Sequence, residues 1–219
     1  MGSKTVVPHC NTLADSIVEP PPMRNVFVVG TIGAGKTTFA RHLAGELQRP
    51  CVEVSDRLIE MMAGIYAEEH GQQRSVAECA LLISGNKEAH RGALRALGNI
   101  VTTLNGGYLI RKAIHQANTQ FCVVTGVRRQ IEVAGHYYLA LTPNDDHNLD
   151  CLRLEKRAYG DVWIFIEKPG VGLSTDSFDR GFFERFCDHH IVNKGTAEDL
   201  AQQARTLAYR LRGGKESAQ

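Results

Sequence analysis

One eight-residue string limits what this chain can fold into. Gly30-Thr31-Ile32-Gly33-Ala34-Gly35-Lys36-Thr37 follows the apolar run Val26-Phe27-Val28-Val29 and precedes a segment in which Phe39, Ala40, Leu43, Ala44 and Leu47 fall on one helical stripe. A short, β-branched apolar run suits a strand buried on both faces. The string must therefore turn a buried strand sharply into a helix. Its glycines permit positive φ and remove the Cβ atoms that would keep backbone N–H groups from converging on one point. Converged amides at the positive end of a helix attract an anion.

The spacing G-x-x-x-x-G-K-T is that of the Walker A loop, which cradles the phosphates of ATP or GTP. Gly30, Thr31, Ile32, Gly33, Ala34 and Gly35 supply the cradle. Lys36 reaches the β and γ phosphates, the Thr37 hydroxyl is placed to ligate Mg²⁺, and Thr38 can touch the α phosphate. A guanine-binding N-K-x-D is not completed at Asn193-Lys194-Gly195-Thr196, so ATP with Mg²⁺ is the expected pair of cofactors.

Length bounds the rest. At 219 residues the chain has room for one core plus insertions. With 25 Lys and Arg against 24 Asp and Glu the net charge is +1, so bulk electrostatics give no pull toward nucleic acid or an anionic membrane. No apolar run approaches the ~20 residues of a membrane span, and the first residues lack both a secretory apolar region and a myristoylation pattern, Val6 standing where Ser or Thr is needed. The six cysteines form no C-x-x-C pair and read as reduced thiols of a cytoplasmic protein. The nine histidines show no metal-binding spacing.

The organisation expected is a loose leader over 1–22, closed by Pro20-Pro21-Pro22, a single domain over 23–212, and a frayed tail over 213–219. Short apolar runs at Cys51–Val54, Phe121–Val124, Val162–Ile166 and His190–Val192 alternate with helical patterns, which argues for an α/β sandwich with a parallel sheet. A mainly helical insertion is expected over about 57–118, with Leu81, Leu82, Ala93, Leu94, Leu97, Ile100 and Val101 as its core. Thr142–Asn148 reads as a polar loop, about 170–186 as a mobile lid, and Thr196 with Asp199 as the cap of the last helix.

Phosphoryl transfer needs cations around developing phosphate charge and a carboxylate near metal or nucleophile. Asp56, just after the second strand, is the candidate to orient or deprotonate an acceptor, or to cap its helix; Glu53 is weaker because it can point out of the sheet. Arg128 and Arg129 leave the third strand at the sheet's carboxyl edge, where open α/β sheets bind ligands. Arg91, one helical turn from both Lys87 and Arg95, is a further candidate for an acceptor phosphate. Arg180 and Arg185 flank the expected lid. The bland alternative for each is a solvated surface charge.

Taken in order, these pieces resemble the nucleoside monophosphate kinase group of P-loop proteins, most like phage-type deoxynucleoside monophosphate kinases and dephospho-CoA kinase. The matching segments are GTIGAGKTT, Ser55-Asp56, RGALRALGN (91–99) with GGYLIRKA (106–113), VVTGVRRQIEVA, IEKPG, and DHHIVNKGTAEDL, whose Asn193 and Gly195 would lie near the adenine. Thr125 and Gly126 stand where the relatives often carry Asp, Lys168 replaces an Arg, and 141–150 looks inserted. The resemblance implies a P-loop nucleoside triphosphate hydrolase fold, a three-layer sandwich with a five-stranded parallel sheet in the order 2-3-1-4-5. It implies the reaction ATP + dNMP → ADP + dNDP with Mg²⁺. Two other readings stay open: a kinase of a hydroxyl acceptor, such as a hydroxymethylpyrimidine base in DNA, and a non-catalytic ATP-dependent switch. A small-molecule acceptor and no membrane partner are expected, and an oligomer is compatible with the sequence.

Overall fold

The computed structural model describes residues 24–69, 74–119, 121–138, 149–170 and 178–213. The expected leader, the polar loop Thr142–Asn148, residues 171–177 of the expected lid and all but the first residue of the expected tail lie outside the described residues.

Five parallel strands carry the fold: β1 (Val26–Gly30), β2 (Cys51–Glu53), β3 (Val123–Thr125), β4 (Val162–Glu167) and β5 (His189–Val192). They lie in the order β2-β3-β1-β4-β5, as the resemblance implied. The central strand β1 is wholly buried, and its residues alternate between the two faces of the sheet. Val26 and Val28 pack with α1 (Lys36–Leu47) and α9 (Ala197–Leu211), through Phe39, Leu43, Leu200 and Leu207. Phe27 and Val29 face the other layer, where α5 (Tyr108–Gln116), α6 (Gln130–Tyr137), α7 (Leu149–Tyr159) and α8 (Arg180–Phe186) contribute Ile110, Val133, Leu152 and Phe183. Phe27 stacks on Trp163 of β4 with ring centroids 4.0 Å apart. The result is helix, sheet, helix in three layers.

The amino-edge of the sheet is fastened by buried polar groups. Asp161 accepts from the Asn25 backbone N–H and side-chain amide, and from the Tyr137 hydroxyl, itself the acceptor of the Trp163 indole N–H at 2.8 Å; His136 Nε2 lies 3.2 Å from the same carboxylate. Buried polar atoms need such partners, and these tie β1, β4 and α6 together at the end opposite the strands' carboxyl termini.

Between β2 and β3 the chain builds α2 (Val54–Glu69), α3 (Val76–Gly85), α4 (Arg91–Leu104) and α5. Helices α2, α3 and α4 have a small core of their own, made by Ile59, Met62, Ala63, Cys79, Ile83 and Leu94. Leu94 and Val101 are buried as expected, but Leu81, Leu82 and Ile100 are 72%, 51% and 59% exposed and Ala93 is also exposed. The reason is geometric. Cys79 and Ile83, four apart, form the stripe of α3 that meets α2, and Leu81 and Leu82 stand off that stripe.

Two more expectations are corrected. Residues 180–186 are helical rather than part of a mobile loop, because Phe182, Phe183 and Phe186 anchor α8 in the core. Residues 149–159, assigned no element from sequence, form α7. Ser75 and Thr196 cap their helices through reciprocal bonds with Glu78 and Asp199, the second as expected.

At the start of α5 two backbones nearly touch. A Cβ on Gly107 would lie 1.9 Å from the Gly135 carbonyl oxygen of α6. Gly107→Ala is therefore expected to cost about 2 kcal/mol or more, read by urea denaturation. Gly181→Ala, where an added methyl meets nothing, is expected to be neutral or stabilising by up to about 1 kcal/mol. Equal effects would mean that α5 and α6 are not in contact as described.

Candidate active site

The loop after β1 has the conformation its glycines permit. Gly30, Gly33 and Gly35 have φ of +151°, +74° and +88°, and a Cβ on Gly30 would sit 1.9 Å from the Ile166 carbonyl oxygen of β4. Gly35 is the N-cap of α1, so the positive end of that helix faces the space the loop encloses. The Lys36 ammonium donates to the Thr31 carbonyl at 2.7 Å, folded back along the loop. The Thr31 hydroxyl oxygen is buried with no partner among the described residues. An open cradle of glycines, a buried hydroxyl without a partner and an ammonium resting on a carbonyl fit a triphosphate, with Thr37 beside them on the first turn of α1.

Buried Asn193, at the end of β5, donates its amide to the Ala34 carbonyl at 3.0 Å and accepts from Gly195 N–H at 3.4 Å. It thereby fastens the loop to the far edge of the sheet. Leu200 Cδ1 would lie 2.6 Å from a Cβ on Gly35, which makes the first turn of α9 a wall of the loop.

Next to the loop, on the carboxyl side of β1, β2 and β3, opens a cleft of about 410 Å³. The loop lines it with Gly30, Ile32, Gly33, Lys36 and Thr37; the insertion with Lys87, Arg91 and Arg95; the exit of β3 with Arg128 and Arg129. Of the sequence candidates, then, Lys36, Thr37, Arg91, Arg128 and Arg129 are gathered in one cleft. Thr38, on the first turn of α1, and Asn193 and Gly195, at the far flank of the loop, are not on the cleft wall.

The carboxylate lining the β2 end is Glu53, which the sequence ranked below Asp56. Glu53 Oε1 accepts from the Ser55 hydroxyl at 2.5 Å and from Lys87 Nζ at 3.1 Å. Burial pushes its carboxyl up, but the Ser55 hydrogen bond, Lys87 and Arg128 outweigh that and hold it below the usual value. Asp56 is exposed on the first turn of α2, next to the cleft but not among its lining residues, and burial with the Glu53 charge raises its carboxyl. The signal that could have found Glu53 is its position as the last residue of β2, in register with Thr125 at the end of β3.

Glu132 explains how two arginines leave β3 in a fixed direction. Its buried carboxylate accepts from the backbone N–H groups of Arg128 and Arg129, at 2.7 and 2.9 Å, and closes the first turn of α6. Burial raises this carboxyl, and the two N–H bonds and guanidinium charges oppose the rise. Asp179 strengthens the turn by accepting from Gln130 N–H at 2.7 Å, and its own N–H donates to the Arg128 carbonyl at 3.0 Å.

Arg180 and Arg185 are not brought into the cleft. Arg180 pairs with Glu167 at 2.9 Å and with Glu184, and Arg185 donates to the Gly181 carbonyl at 3.0 Å. Among the described residues no His, Cys, Asp and Glu cluster could hold a metal, and no helix is long and apolar enough to cross a membrane. Among the described residues Cys51, Cys79, Cys122 and Cys187 form no disulfide.

Sheet order, loop and helical insertion define an α/β P-loop fold of the small-kinase type. No family model matches the chain. Among curated proteins, a shikimate kinase of Pseudomonas entomophila (strain L48) is 39% identical over 99 residues, 36% of this chain and 57% of that protein. That match thus spans little more than half of the relative's length. A shikimate kinase of Pseudomonas fluorescens (strain Pf0-1) is 27% identical over 175 residues, 72% of this chain and 96% of that protein. Among solved structures, shikimate kinase from Acinetobacter baumannii in complex with shikimate has a TM-score of 0.42 at 16% identity, covering 89% of this chain and 96% of that one. Dephospho-CoA kinase from Campylobacter jejuni has a TM-score of 0.41 at 12% identity, covering 86% and 97%. The curated likenesses support the class of ATP-dependent kinases; they do not support a (deoxy)nucleoside monophosphate in particular as the acceptor.

Lys36 supplies a pH test. Burial first, then Arg128, lower its ammonium from 10.5 to about 8, with Glu53 opposing. The charged form binds phosphate and is the form lost as pH rises through about 8. ATP affinity is therefore expected to fall about tenfold between pH 7 and 9, read by calorimetry, where an ordinary lysine would leave it unchanged. A flat profile over that range would remove Lys36 from the phosphates.

Proposed function

We propose that this chain is an ATP-dependent kinase that passes the γ-phosphoryl group of ATP to a (deoxy)nucleoside monophosphate, releasing ADP and the diphosphate. The observation that carries this reading is the grouping of Arg91, Arg95, Arg128 and Arg129 with Lys36 on one cleft. A phosphate monoester carries between one and two negative charges near neutral pH, and guanidinium forks match its oxygens in pairs. The loop amides and Lys36 bind the donor phosphates, and the arginines bind and orient the acceptor. Asn193 and Gly195 belong to the nucleotide side because they fasten the loop's far wall. Thr37 would hold Mg²⁺, which when bound supplies neutralisation of the β and γ phosphate charge. Asp56, exposed on the first turn of α2 one residue beyond the cleft-lining Ser55, is assigned to the acceptor side.

The shikimate kinase relatives favour a second reading, in which the acceptor oxygen is a hydroxyl on a small anion such as shikimate. The two are separated by ADP release from the purified protein with dNMPs, NMPs, shikimate, dephospho-CoA and hydroxymethyl-containing DNA. Turnover with a monophosphate is the expected result. Turnover confined to shikimate or another hydroxyl acceptor establishes the second reading, and ATP binding without acceptor-dependent turnover overturns both.

Variants divide the two sides of the site. Lys36→Ala is expected to lower kcat/KM about 100-fold or more with the fold retained by circular dichroism. Asp56→Asn is expected to lower turnover more than ATP affinity; an unchanged rate would remove Asp56 from the reaction.

A further inference from the structure

The cleft contains an arrangement that the proposed phosphoryl transfer does not explain. Lys87, in the turn between α3 and α4, reaches across to the end of β2, where Nζ donates to Glu53 Oε1 at 3.1 Å and to Ser55 Oγ at 2.9 Å; Ser55 Oγ donates in turn to Glu53. All three residues line the cleft. The contact joins two separately packed bodies, because the α2–α4 helices have their own small core and β2 belongs to the sheet. An anion entering this cleft meets a lysine already held by a carboxylate. Lys87 and Glu53 keep about 43% and 29% of their side chains exposed, so solvent competes for the pair and a bound anion can displace it.

We propose that Glu53 and Lys87 form a clasp that the acceptor anion opens. With the acceptor side empty, Lys87 is held by Glu53 and Ser55 at the strand edge. The acceptor's anionic group takes Lys87 as a ligand, and Glu53 is left facing Lys36 and Arg128, the cations beside the transferring phosphate. Lys87 is thus an acceptor-binding residue, and Glu53 a positioning residue that sets how readily Lys87 is surrendered. This rests on the reading of the cleft as the acceptor site, and it applies to a phosphate or a carboxylate acceptor alike. Glu53 is also the group whose charge opposes loss of the Lys36 proton.

The test is a double-mutant cycle on anion binding to the full chain. The nucleotide side is first filled with a non-hydrolysable ATP analogue and Mg²⁺, so that inorganic phosphate used as the probe reports the acceptor side. Lys87→Met is expected to weaken phosphate about tenfold. Glu53→Gln is expected to tighten it about fivefold, because Lys87 loses its competitor. In the Lys87→Met background, Glu53→Gln is expected to change affinity less than twofold. A purely structural pair would give the opposite sign for Glu53→Gln, since loss of the contact would loosen the cleft. Equal tightening in both backgrounds would reduce Glu53 to a general repulsive charge and overturn the clasp, as would phosphate failing to bind the analogue-loaded protein. Failure of the ATP analogue itself to bind overturns the proposed function and the clasp together, which separates the two outcomes.

Discussion

The close approach of β1 to β4 at Gly30 governs the rest of the molecule. The strand can stay hydrogen-bonded to its neighbour up to its last residue only if that residue has no side chain, because the Ile166 carbonyl fills the place of a Cβ. Running the strand to that point sets where the loop begins and where its amides converge. Asn193 then fixes the other flank of the loop from the edge strand, through a buried bond to Ala34. The phosphate cradle is therefore held by backbone geometry on one side and an amide on the other, and its shape does not depend on the ligand arriving.

The cleft beside it, the proposed acceptor side, is built on a different principle. Its cations come from three places: the turn before α4, the exposed side of α4, and the exit of β3. Two carboxylates that bind backbone, the buried Glu132 and the exposed Asp179, fix the direction of the chain that carries Arg128 and Arg129. Glu132 folds the chain after β3 by taking two consecutive N–H groups, and Asp179 holds the next one. Arg128 is crowded by burial and by Arg91 and Arg95, which lowers its guanidinium and marks a concentration of positive charge that an anion would relieve.

Much of the fold was legible in the sequence because its signals are local. A β-branched run, a glycine string and an amphipathic stripe are each a few residues long, and together they place β1, the loop and α1 to within a residue or two. The cap at Thr196 is equally local. Strand order came from resemblance, not periodicity. What was not legible depended on contacts distant in sequence. The exposure of Leu81, Leu82 and Ile100 follows from which side of α3 and α4 meets α2, and α8 is helical because three phenylalanines find pockets in a layer that the local sequence does not encode. Of the residues that line the cleft, those of the loop, Arg91, Arg128 and Arg129 were singled out by the sequence. Glu53 was underrated because the alternation of a three-residue strand cannot tell a side chain at its end from one facing solvent, and Arg180 and Arg185 were drawn toward a lid whose described part is packed helix.

The separate core of α2, α3 and α4 has a consequence for how such a protein can change. It borders the main core through Leu58 and Leu97, which pack against both. Lys87, Arg91 and Arg95, three of the residues proposed to meet the acceptor, thus rest on a platform whose interior is largely independent of the one supporting the phosphate loop. Substitutions that reshape that platform are buffered from the triphosphate machinery, so a lineage can drift from one acceptor to another while its energy source stays the same.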